Sequence, residues 1–137
     1  MSNSADTDFS DVEMTFDGGE SIEQVLVTPL ASQQYRLEVS PISGGNLRYH
    51  DVIEAESQAD GCLRFVRLVE KSPFRTLEYF LPKSVVESQP FQNILESVMT
   101  LGGNWEIVFG GIVYLHVPKD TAFDPTDEIQ AIRKALS

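Results

Sequence analysis

Nucleophilic catalysis needs an activated side chain beside a positioned base, and the chain offers only two imidazoles, His50 and His116. His50 is preceded by Tyr49 and followed by Asp51, and a carboxylate beside an imidazole can orient it. Adjacent residues of a strand, however, project to opposite faces. Tyr49, His50 and Asp51 thus stand as a candidate pocket, against the plainer reading of a surface histidine at a strand entrance. His116 shares a face with Ile112 and Tyr114 in the run Ile112-Val113-Tyr114-Leu115-His116-Val117, and reads as a structural strand residue. Carboxylates are abundant, but no D-x-D-x-D-G loop or H-E-x-x-H helix gathers them, so no metal site is expected. The pairs Gly18-Gly19, Gly44-Gly45, Gly102-Gly103 and Gly110-Gly111 lack any phosphate-cradling pattern and suit turns. The lone Cys62 can form no internal disulfide and reads as a small buried apolar side chain. No catalytic residue and no cofactor are assigned.

The elements that would position these groups follow from periodicity. Residues 1–10 are polar and acidic without a pattern and read as a disordered tail, which leaves 11–137 as one domain. Val12 to Phe16 and Val25 to Val27 form a first hairpin across Asp17-Gly18-Gly19. Tyr35, Leu37 and Val39 line one face of a half-buried strand. Val52 to Ala55 faces Leu63 to Val69 across Asp60-Gly61, and the return strand, apolar on both faces, reads as central in its sheet. After Pro73 a strand runs over Thr76 to Leu81. Phe91, Ile94, Leu95, Val98 and Leu101 then fall on one helical stripe. That helix starts at Ser84 or Ser88; Pro90 in the first turn favours Ser88. Trp105, Ile107 and Phe109 alternate in a third hairpin that returns over Ile112 to Val117, and a last helix begins with Asp124 as N-cap and Pro125 at its first position. Ile129, Ile132 and Leu136 form its buried stripe. The expected class is α+β, an antiparallel β-sheet built from hairpins followed by a β-α-β-β-α segment with two helices packed on one face.

Charge narrows the partners. The formal net charge is −11, and all ten basic residues lie at or beyond Arg36, so residues 1–35 carry −7 through Asp6, Asp8, Asp11, Glu13, Asp17, Glu20 and Glu23. Such a field repels phosphate backbones and anionic lipid, which disfavours nucleic acid and membrane surfaces. The local run Arg64, Arg67, Lys71 and Arg75 reads as a solvated strand face. No apolar run approaches the roughly 18 residues of a membrane span, and Met1 to Asp6 lack a signal's basic and apolar regions, so a cytoplasmic setting is expected.

Val25-Leu26-Val27-Thr28-Pro29-Leu30, Tyr35-Arg36-Leu37, Asp51-Val52-Ile53-Glu54-Ala55 and Leu63 to Ser72, in that order and spacing, resemble a bacterial family, domain of unknown function 4265, over roughly residues 12–117. Its pattern reads "pL…Y-R-L…D-V-V-x-A…F-x-R-V-V-E-x-S". This chain departs from it with His50 where a Gly precedes the Asp, and with Ser72-Pro73 where the family has "S-G". The resemblance implies a compact bacterial domain and transfers no catalytic residue.

Two functional classes remain open. One is a non-enzymatic protein-binding module, in its most specific form an immunity protein that neutralises a basic toxin domain. Asp11, Glu13, Asp17, Glu20, Glu23, Tyr35 and Tyr49 would form its contact surface. A regulatory subunit with an unrelated partner uses the same features. The other is a small ligand-binding domain or enzyme with a pocket at Tyr49-His50-Asp51. Monomer and homodimer are not distinguished.

Overall fold

The computed structural model describes residues 9–17, 21–108 and 111–137; the acidic lead-in 1–8, Gly18, Gly19, Glu20, Phe109 and Gly110 lie outside the described residues. The chain divides into two compact units, residues 1–72 and 73–137. The α+β class holds, with the strands distributed between two sheets.

In the first unit, β1 (Ser10–Thr15), β2 (Ile22–Ala31), β3 (Gln34–Leu37), β4 (Val52–Ser57) and β5 (Leu63–Glu70) close a barrel. Neighbours are antiparallel except at the seam, where β1 and β5 run parallel through Met14↔Leu63 and Thr15↔Arg64. Alternation explains the interior. Met14, Val25, Val27, Leu37, Ile53, Ala55 and Leu63 point inward with Leu47, and Tyr35, Val39 and Phe65 pack against them. The Asp60-Gly61 turn forms as its residue types require: Gly61 has φ +86°, and the Asp60 carboxylate accepts from the Cys62 N–H at 3.0 Å. β5 lies between β4 and β1 as its apolar content suggested, yet Val66 and Leu68 remain more than a third exposed, so its outer face is not covered.

In the second unit, β6 (Phe74–Phe80), β7 (Asn104–Val108) and β8 (Ile112–Pro118) form an antiparallel sheet of order β6-β8-β7. Central β8 turns Val113, Leu115 and Val117 toward Phe91, Ile94, Leu95, Val98 and Ile129 in one core, which puts both long helices on the same face. A single helical turn, α1 (Lys83–Val86), precedes α2 (Gln89–Thr100). Ser88 is the N-cap of α2, its hydroxyl accepting from the Phe91 N–H, and Pro90 occupies the first turn, where its missing N–H loses nothing. Helix α3 (Thr126–Leu136) starts one residue later than expected, with Pro125 at the N-cap position. Asp124 still accepts from the Thr126 N–H and hydroxyl, and those bonds hold its carboxyl below the usual range.

Both helical stripes run out at their ends, Leu101 being 39% and Leu136 49% exposed. In β7 Trp105 and Ile107 alternate with Glu106 and Val108 as expected, yet the two apolar side chains are exposed while Glu106 and Val108 are half-buried. Trp105 and Ile107 lie across from buried Leu115 and Val113 on the helix-facing side, but β7 is an edge strand with one uncovered flank.

Helix α2 ends at a glycine pair whose members differ in kind. Gly102 adopts φ +88° with open space around its Cβ position, whereas a Cβ on Gly103 would sit 2.2 Å from the His116 carbonyl oxygen. Gly102→Ala is therefore expected to destabilise by about 1 kcal/mol through backbone strain alone. Gly103→Ala, which must push α2 away from β8, is expected to cost at least about twice that, as thermal or denaturant melts of the two variants would resolve.

Candidate functional site

The first unit holds all the acidic candidates that are described. Its five basic side chains are engaged close to home. Arg36 pairs with Glu38 at 2.8 Å, Arg67 with Glu54 at 2.8 Å, Arg64 with Glu56, and Lys71 with Asp51 at 3.2 Å, while Arg48 donates to the carbonyls of Gly45 and Leu47. Six carboxylates, Asp11, Glu13, Asp17, Glu23, Asp60 and Glu70, have no cationic partner among the described residues. Asp11 and Glu13 project from the outer face of β1, alternating with inward Val12 and Met14. Glu13 and Asp60 both lie near Cys62, whose thiol is pushed up first by its own burial and then by these two charges.

Two members of that acidic set have local structural work. Glu23 accepts from the N–H groups of Ile42 and Ser43 at 2.7 and 2.9 Å, fastening the loop after β3 to the end of β2. Asp17 accepts from the Ser21 N–H at 3.3 Å at the hairpin. Tyr35 is half-buried against the barrel core. Glu20 lies outside the described residues.

Tyr49, His50 and Asp51 form a tight turn entering β4. His50 has φ +69°, a backbone that glycine adopts freely and other residues only under strain. A glycine, the residue that the resemblance implies before the Asp, would adopt that conformation without strain. The turn is held by the His50 N–H on the Leu37 carbonyl at 2.7 Å and the Tyr49 N–H on the Ser40 hydroxyl at 3.0 Å. The Tyr49 and His50 rings stack at 4.0 Å between centroids. His50 turns to Glu38 rather than to Asp51: its Nε2 is 3.2 Å from Glu38 Oε1. Glu38 is a hub that sequence reading missed, buried beneath Thr28, Arg36 and His50. Asp51, with no exposed surface, accepts from the Arg48 N–H at 2.9 Å, the Ser72 N–H at 2.8 Å and the Lys71 ammonium.

His116, on β8, is also fully buried. Thr76, its cross-strand partner on β6, places Oγ1 2.8 Å from Nδ1, and Glu106 of β7 places Oε2 2.6 Å from Nε2. An ionised carboxylate can only accept, so the Nε2–H donates to Glu106. Hydroxyl, imidazole and carboxylate stand in the order of a nucleophile–base–orienter relay. The imidazole nevertheless has no exposed surface. The arrangement ties three strands together and satisfies a buried ring. With sequence separations of 40 and 10 residues, no local pattern announces it.

Two surface cavities are described, both in the second unit. An apolar one of about 260 Å³ lies between Ser88, Pro90, Ile132, Ala135 and Leu136. A shallower one of about 570 Å³ runs along Asn93, Glu96, Ser97, Thr100 and Leu101 to Phe123. Neither includes Tyr49, His50 or Asp51. Among the described residues no group of three or more His, Cys, Asp or Glu side chains is placed to hold a metal ion. Truncating Asp51 takes an acceptor from two backbone N–H groups and a counter-charge from Lys71. Asp51→Ala is therefore expected to lose roughly 2–5 kcal/mol, and Asp51→Asn less, as measured by urea unfolding.

No helix among the described residues is long and apolar enough to cross a membrane. Curated proteins yield no match to the chain. Among solved structures, one described as a novel crystal structure of a hypothetical protein from Neisseria gonorrhoeae is similar with a TM-score of 0.54. It shares 15% sequence identity over 93% of this chain and 89% of that one, which speaks to fold alone. The family described as "Domain of unknown function (DUF4265)" matches residues 23–135. That match spans most of the chain, from β2 into α3, and the chain belongs to the DUF4265 family.

Proposed function

We propose that this protein is a non-enzymatic protein-binding module that receives a basic partner on the acidic face of its barrel. In the most specific form of this reading it is a cytoplasmic immunity protein that neutralises a basic toxin domain. One observation carries it. The cations of the first unit are all engaged internally, mostly with carboxylates, while Asp11, Glu13, Asp17, Glu23, Asp60 and Glu70 have no cationic partner among the described residues. A surface so arranged projects a negative field that speeds encounter with a positively charged protein. Asp11 and Glu13, on an ordered strand and exposed, are the residues best placed to make the contact. Because both stand on the rim of water, their contribution is to association rate and salt dependence more than to residence time.

The test is an affinity pull-down of the tagged protein from its native lysate at low and high salt. One basic partner recovered at low salt and lost at high salt is the expected result. The double variant Asp11→Lys/Glu13→Lys, which leaves the buried residues of β1 untouched, is expected to slow association with that partner at least about tenfold. Recovery of nothing at either salt removes the reading. If a partner is found and cells producing the protein are still killed by it, the immunity form fails and a regulatory subunit with an unrelated partner takes its place.

A further inference from the structure

We propose that the outer edge of β7 is a self-association site, where a second copy of this chain adds its own β7 antiparallel about a two-fold axis. Among the described residues β7 pairs with β8 and with no other strand. Natural edge strands are usually guarded by charged side chains, lysine above all, by proline or by a bulge. Asn104 to Val108 contains neither lysine nor proline, its one charge, Glu106, turns back to His116 of β8, and its register against β8 runs unshifted from Asn104↔His116 to Val108↔Ile112. The contrast with β5 is direct: that strand, paired on its β1 side only at Leu63 and Arg64, carries register shifts and Arg67 along the rest of its length. Apolar surface gathers at the unguarded edge. Trp105 is 36% and Ile107 38% exposed.

Self-complementarity selects the register. A two-fold axis perpendicular to the sheet keeps each side chain on its own face, so only residues of equal parity can meet across the junction. With Glu106 on the axis, two carboxylates oppose each other. With Ile107 on the axis, each Glu106 meets an apolar Val108. With Trp105 on the axis, the two indoles meet on the helix-facing side, and each Asn104 amide meets a Glu106 carboxylate on the other. The Asn104 carboxamide makes no hydrogen bond among the described residues and is therefore available as a donor. The joined sheet runs β6-β8-β7-β7-β8-β6 with the helices of both copies on one face.

A junction of one short strand pair is smaller than the roughly 800 Å² per partner of a stable complex, so the dimer is expected to dissociate on dilution through the micromolar range. Trp105 is the chain's single tryptophan, and its emission reports the junction directly. Sedimentation velocity from about 1 to about 500 µM should show a monomer–dimer equilibrium, with Trp emission moving to the blue as dimer forms. Asn104→Asp sets like charges opposite at two places, and Ile107→Lys installs an edge guard. Each is expected to weaken the dimer by roughly tenfold or more while the thermal melt shows a folded chain. A chain that stays monomeric with concentration-independent emission overturns the proposal. So does a dimer that both folded variants leave intact, because its interface would then lie elsewhere.

Discussion

A carboxylate withdrawn entirely from water is tolerated only where donors converge on it, and Asp51 is such a group. It receives the N–H of Arg48 from its own turn and the N–H of Ser72 from beyond the end of β5, with the Lys71 ammonium alongside. Two segments some twenty residues apart are thereby closed onto one side chain. The turn that Asp51 anchors forces His50 to positive φ and aims its ring at Glu38, which in turn gathers Thr28 and Arg36. The polar architecture at this end of the barrel is a chain of acceptors, each satisfied by the backbone or side chain that the previous one has positioned.

The consequence for the surface is electrostatic. Arg36 and Lys71 answer carboxylates that are almost or wholly buried, and Arg64 and Arg67 answer Glu56 and Glu54 across the β4–β5 ladder. Exposed pairs of the latter kind add little stability, but they neutralise the local cations. What the unit shows outward is then decided by carboxylates without a counter-charge. The basic run in the sequence, read as a solvated strand face, has Arg64, Arg67 and Lys71 paired with carboxylates. Its last member, Arg75, belongs to the second unit and clamps the carbonyls of Thr121 and Phe123.

The second unit answers the same problem of buried polarity within a sheet. His116 takes one partner from each flanking strand, so the ring that interrupts an apolar strand also cross-links it to both neighbours. Gly103 lets the chain pass within van der Waals distance of that strand's backbone as α2 hands over to β7. With three strands and helices on one face, the sheet has two edges, β6 and β7, each in unshifted register with β8.

Local chemistry alone determined much of this molecule: the α+β class, the hairpin across Asp60-Gly61, the Ser88 cap with Pro90 behind it, and the helical stripe from Phe91 to Val98. Each depends on contacts within a few residues or on a period of two or 3.6, and such signals are written in adjacent positions. The parallel β1/β5 seam that closes the barrel was not legible, nor were the hub at Glu38 and the triad of Thr76, His116 and Glu106. The exposure of Trp105 and Ile107 was hidden too, since alternation says which side chains share a face but not whether a neighbouring element covers it. Tertiary structure decided these because partners tens of residues apart meet only once the strand order is set, and nothing in a strand's own residues says which strand will lie beside it.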